Sequence, residues 1–322
     1  MGKKMHAANE SYMYRLFFRL KVFQSFGDSF QQLISSVLFH AMPGFQSIRP
    51  YGNWGDGGND GWIPTDDHYF QVYGPKPTTQ SSPLSEAKKA IADFHKLPSK
   101  WGHVKKYSFV LNDHFLGVPA QVAAELKNLQ QNAGLLSADV IGANELLRLF
   151  MLLPDDIKID IIGGIPTSLP DFVDDRVVKD LLSYLIDNIS GSFGFLAESA
   201  PIFEEKIVFN GISEAIGSRL RQNSYQINYV DDYLDAVDDG LKQSVAEEVN
   251  KIYKQSLIDI ASDTPNAADL RYLWMMDKLI PPTVHNSNKH SLAAYRQAAE
   301  LVLAKYFETC DAYEHPSSLI TA

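Results

Sequence analysis

The chain has 322 residues, a net charge of −10, 45% hydrophobic and 21% charged residues, and one cysteine. That is an ordinary globular balance, with enough apolar side chains for a core and a length that suggests about two domains. No apolar run approaches the ~18 residues of a membrane span, and Cys310 alone excludes an internal disulfide or a cluster held by several thiolates. The expectation is a soluble, cytoplasmic protein that makes no contact with a membrane.

The charge is unevenly spread. Residues 1–154 sum to +3 and residues 155–322 to −13, while the first 25 residues alone carry +4. Such asymmetry points to two surfaces with different partners. The alternative is a solvated acidic helical domain beside a neutral one.

In chain order, Arg15 to Phe26 is apolar and basic, and Phe30, Leu33, Ile34, Val37 and Leu38 recur at helical spacing until Pro43-Gly44. Phe45 to Arg49 reads as a short extended run. Pro50 to Gly61 holds five glycines and reads as a tight, irregular turn. A strand follows at His68 to Gly74, then a helix from Ser85. The pattern continues as strand Val104 to Leu111, helix Val118 to Gln131, strand Ala138 to Gly142 and helix Asn144 to Leu153. This alternation predicts an α/β domain with a mixed central sheet over residues 1–154.

Residues 155–322 predict a mainly α-helical domain. An apolar turn at Ile161 to Pro170 precedes helices around Val177 to Ile186, Val230 to Tyr253, Leu270 to Ile280 and Ser291 to Cys310. Ile207-Val208-Phe209 is the sole strand candidate. Leu303 and Phe307, four apart, form an inward pair, which leaves Tyr306 and Tyr313 on a neighbouring face suited to partner docking.

The chemistry gathers at Gly55-Asp56-Gly57-Gly58-Asn59-Asp60-Gly61-Trp62 and, eleven residues after Asp60, at Gln71-Val72-Tyr73. A carboxylate on a glycine-rich bend can approach a hydrated divalent cation, and Mg²⁺ needs only one or two carboxylates beside water and phosphate. Gln71 and Tyr73 share one face of their strand. The same glycine-rich stretch also suits a plain surface turn. A histidine-rich loop at His285 and His290 and an acidic run at Asp231-Asp232 and Asp235 read as a loop and a solvated helix face.

Gly27-Asp28-Ser29-Phe30-Gln31, the Gly-Asp-x-Gly-x-Asp-Gly stretch and Gln71-x-Tyr73 resemble the core of Mrr-type restriction nucleases of the PD-(D/E)XK fold. The resemblance implies a restriction-endonuclease-like domain with a metal-dependent phosphodiesterase site. Asp60 and Gln71 would be the metal ligands, with Asp56 the neighbouring acid, and the ion would be Mg²⁺ or Mn²⁺ if the site is catalytic. Tyr73 stands at the family's lysine position and is neutral near pH 7, so Lys76, beyond Pro75, is the candidate displaced cation. Lys3, Lys4, Arg15, Arg19 and Lys21 are candidate DNA contacts.

The stretch from Leu301 through Tyr306, Phe307 and Cys310 to Pro316 resembles the closing helix of C-terminal domains in bacterial ABC-type three-component defence systems, the Lamassu type among them. Lys206 to Ile212 and the segment ending in Pro281-Pro282 share that resemblance. It implies assembly with an SMC-like ATPase and a further small subunit. Two versions of the function stand open: an effector that cleaves DNA, and a catalytically inactive scaffold or adaptor in the same complex.

Overall fold

The computed structural model describes residues 2–49, 58–76, 82–166, 173–188, 203–237, 239–309 and 312–316. By internal contacts the chain divides into residues 21–161 and a second unit of residues 1–20 with 162–322. Compared with the expected division after residue 154, the first twenty residues group with the helical half.

The unit of residues 21–161 is built on a mixed five-stranded sheet. Helix α1 (Gly2–Gln24) enters it with its last residues, followed by α2 (Asp28–Ala41), β1 (Gln46–Ser47), β2 (Gly61–Ile63) and β3 (His68–Tyr73). Then come α3 (Pro83–Phe94), α4 (Leu97–Trp101), β4 (Lys106–Leu111), α5 (Ala120–Ala133), β5 (Ser137–Ile141), α6 (Ala143–Met151) and α7 (Asp155–Ile162). The strands lie in sequence order, β1, β2 and β3 antiparallel, β4 and β5 parallel to β3. Parallel pairing requires a crossover, and α3–α4 and α5 supply the two that are needed.

Local chemistry explains the element ends. Ser82 caps α3 by accepting the Ser85 N–H, and Pro83 occupies the first helical turn, where a missing N–H costs nothing. Ala87, Ala90 and Phe94 then face the sheet, packed in one core with Tyr69, Tyr107, Phe109, Val122 and Leu126. Gly61 is required by close approach, because a Cβ there would sit 2.5 Å from the Phe45 ring. Three elements escaped the sequence pattern: the three-residue strand β2, the five-residue helix α4 and the helix α7.

The second unit is helical throughout its described residues. It contains α8 (Asp175–Asp187), α9 (Phe203–Phe209), α10 (Glu214–Ser224), α11 (Asn228–Val237), α12 (Asp239–Asp259), α13 (Ala267–Leu279), α14 (Pro282–His285) and α15 (Lys289–Glu308). The expected strand Ile207-Val208-Phe209 is the end of α9 instead. Lys206 and Ile207 point inward while Val208 is exposed, a helical alternation that three apolar residues do not reveal.

Helix α15 is the centre of this unit, with Leu303 and Phe307 buried as the spacing predicted. Tyr306 and Tyr313, expected as a docking face, are also buried, at 3% and 5% exposure. Tyr306 donates to the Lys242 carbonyl, while Tyr313 donates to the Ala268 carbonyl at 2.7 Å and packs its ring against Tyr253 and Phe307. The helical wheel places both tyrosines off the Leu303 stripe correctly, but helices cover α15 on more than one side, so that face is interior too. Tyr313→Phe should therefore lower stability by about 1 kcal/mol through one lost buried hydrogen bond. Urea denaturation of the two proteins measures it.

Charged groups are buried here in pairs. Arg219 (α10) and Glu300 (α15) form a bidentate ion pair at 2.6 and 2.8 Å. Arg296 (α15) binds Asp277 (α13) at 2.9 Å, donates to the Ile162 and Gly164 carbonyls, and lies over the Phe17 ring. Lys206 donates to the Phe307 carbonyl at 2.7 Å. Each pairing avoids the several kcal/mol an uncompensated buried charge would cost. From the N-terminal segment, Tyr12 donates to Asp269 at 2.5 Å, and burial together with that carboxylate pushes its phenol up to about 12.

Candidate functional site

Asp60 immediately precedes β2 and lies opposite Gln71 in the antiparallel β2–β3 pair, whose register matches Gly61 with Phe70. Its N–H donates to the Phe70 carbonyl, and its own carbonyl accepts from Ile48. The side chain is buried at 8% exposure and accepts three N–H donors. Gln31 of α2 reaches Oδ1 at 2.9 Å, and the Gln71 side chain and the Val72 backbone N–H reach Oδ2 at 2.6 and 2.7 Å. An ionised carboxylate only accepts, so both glutamines must turn their nitrogens toward it.

The residues expected to form a metal site thus meet as the sequence pattern indicated, but as a hydrogen-bonded knot. A divalent cation needs oxygen ligands. Here Asp60 faces three N–H groups, one of them a strand amide that has no oxygen to offer. Among the described residues no group of three His, Cys, Asp or Glu side chains comes together to hold a metal. In this arrangement both Asp60 oxygens are engaged by N–H donors. Asp56 lies outside the described residues.

Tyr73 is half-buried, its ring stacked on Phe109 at 6.3 Å and 17°. Lys76, the candidate displaced cation, is exposed and runs over Gly27, with Cε 3.1 Å from where a Cβ would stand. The cations come from another element. A cleft of about 320 Å³ beside β3 is lined by Gln71, Tyr73 and Phe109 on the sheet and by Lys89, Lys96 and Lys100 on the α3–α4 segment. Glu86 and Asp93 lie between these lysines, with Asp93 bound to Lys96 at 2.7 Å and Glu86 beside Lys89 at 3.7 Å. A signal for this face was present in the sequence. Glu86, Lys89, Asp93, Lys96 and Lys100 are spaced three, four, three and four apart, one continuous stripe beside the buried Ala87, Ala90 and Phe94.

Asn59, next to Asp60 and to the cleft-lining Gly58, is fully buried with no hydrogen-bond partner for Oδ1 or Nδ2. Deeper in the sheet, burial and then the Asp60 carboxylate push the Tyr107 phenol up.

At the start of β3, His68 binds the Ser108 hydroxyl through Nε2 at 2.8 Å. Burial, and after it Lys106, lowers its pKa from 6.5 to about 4, against the smaller pull of Asp139 and Asp66. A base whose folded pKa is depressed takes up its proton more readily when unfolded. The protein should therefore lose stability as pH falls from about 6.5 toward 4, and His68→Asn should flatten that limb. Denaturant titrations across this range check it, and parallel curves for the two proteins would contradict it.

The candidate DNA contacts do not act as one group. Arg15 is exposed and Lys21 half-buried, while Arg19 is half-buried with Nη1 toward the Pro265 carbonyl at 3.3 Å. Burial lowers the Arg19 pKa. The side chains of Lys3 and Lys4 lie outside the described residues.

Residues 176–314 match the family model for C-terminal domain 10 of the ABC-three component (ABC-3C) systems. The match covers the C-terminal part of the chain alone. No curated protein and no solved structure matches the chain. No helix among the described residues is long and apolar enough to cross a membrane.

Proposed function

We propose that the chain is the nuclease-like, DNA-contacting subunit of an ABC-3C antiviral complex, and that it holds DNA without cutting it. Its C-terminal domain docks on an SMC-like ATPase of the Lamassu type beside a further small subunit, within the cytoplasm. The match of residues 176–314 supports the assembly part of this reading.

The order α2, three antiparallel strands, α3, then the parallel β4 supports a restriction-endonuclease-like reading of residues 21–161. The observation that carries the non-cutting version is the Asp60 side chain, which accepts from Gln31, Gln71 and Val72. With Tyr73 in place of a lysine, the strand lacks the preorganised cation whose loss typically costs on the order of 10²–10³ in rate. What remains is a rigid strand pair that presents Gln71 and Tyr73 to the cleft. DNA contact rests on phosphate and is salt-sensitive, with Arg15 the exposed arginine of the N-terminal group.

The test is to incubate the assembled complex with end-labelled duplex DNA and Mg²⁺ or Mn²⁺. The expected result is DNA retained on the complex and recovered intact. Cleavage that disappears in Asp60→Asn would overturn the non-cutting reading and restore the catalytic one.

A further inference from the structure

We infer that the cleft between β3 and the α3–α4 segment is a binding site for a single phosphate-bearing nucleotide. This deepens the DNA-contact reading, and rests on it only in taking this unit to meet nucleotides.

The lining matches such a ligand part by part. Lys89, Lys96 and Lys100 line the rim beside Glu86 and Asp93, and their ammonium groups suit a phosphate. The two carboxylates serve two ends: they hold Lys89 and Lys96 over the cleft, and they accept from the sugar hydroxyl or base N–H groups that a nucleotide brings. Tyr73, backed by Phe109 at 6.3 Å, offers an aromatic wall for a base. Gln71 lines the same wall, with one end of its amide engaged by Asp60. Its carbonyl oxygen remains for a base edge.

The volume of about 320 Å³ falls at the small-molecule end of binding sites and does not accommodate a duplex. The knot around Asp60 has a purpose on this account, since it keeps Gln71 and the strand amide fixed at the inner end of the cleft.

A free nucleotide and the end of a strand carry the same chemistry, and the experiment separates them. The full chain is titrated by calorimetry with AMP, ATP, a 5′-phosphorylated tetrathymidylate, its unphosphorylated form and inorganic phosphate. Saturable binding of AMP or ATP identifies a free nucleotide, and binding of the phosphorylated oligonucleotide alone identifies a strand end. In either case Lys89→Gln with Lys96→Gln and Lys100→Gln should weaken binding by about tenfold or more. Arginine at the three positions should restore it, which separates lost charge from damage to the fold.

No binding of any probe at millimolar concentration would overturn the inference. So would equal affinity in the glutamine variant, or inorganic phosphate binding as tightly as AMP. Duplex affinity of the assembled complex, measured on the same variant, reports separately on the DNA-contact proposal.

Discussion

Asp60→Ala should destabilise the protein by roughly 2–4 kcal/mol, because it strips the acceptor from three N–H donors in a mostly buried place. The direction discriminates between the two readings of the glycine-rich stretch. A carboxylate held for metal catalysis is a local strain, and removing it commonly leaves a protein as stable or more stable. A carboxylate that ties α2 to β3 is a support. Asp60→Asn should cost half as much or less, since its oxygen still accepts from Val72 and Gln71 while Gln31 can turn its amide. Chemical denaturation of the three proteins gives the order wild type, Asn, Ala. An alanine variant as stable as the wild type would remove the knot from this account and return Asp60 to the list of catalytic candidates.

Glu300→Ala should cost about 3–5 kcal/mol, because the buried Arg219 would lose its bidentate carboxylate in the core of the helical unit. Arg219 also donates to the Pro166 carbonyl, but a neutral acceptor does not offset the lost carboxylate. The pair joins α10 to α15, so the loss should loosen the helix that also carries Arg296, Leu303 and Phe307. The double variant Arg219→Met with Glu300→Leu should recover most of the stability, since the desolvation cost of both charges disappears together. A double variant no better than Glu300→Ala would mean that the two helices depend on the ion pair for more than charge balance. A single variant costing under about 1 kcal/mol would mean that water reaches Arg219.

Elements with strong periodicity were legible in the sequence. The apolar spacing of α2, α5, α8, α13 and α15 predicted each within a few residues, and β3, β4 and β5 followed from short apolar runs bounded by Gly, Pro and Asn. What escaped were β2 with Gly61-Trp62-Ile63, α4, α7, α10 and α14, while the strand expected at Ile207-Val208-Phe209 is the end of α9. The segment expected as a helix over Val230 to Tyr253 is helical in its described residues, α11 and α12 on either side of residue 238.

The site was half legible. Asp60 and Gln71 do come together, as the motif spacing indicated, and Gln31 joins them, but spacing fixes which residues meet and not which atoms face each other. The lysines were missed because attention fell on the motif strand, while the cleft's charge sits on the crossover helix that packs over it. Tyr306 and Tyr313 show the reverse error, in which a face assigned to solvent from one helix alone is covered by its neighbours.

The most direct test of the central claim is co-purification of the tagged full chain with the SMC-like ATPase proposed as its partner. The account predicts one complex that survives gel filtration and contains the chain, the ATPase and the further small subunit, with DNA retained intact. Elution of the chain apart from an ATPase that is itself folded and soluble would contradict it.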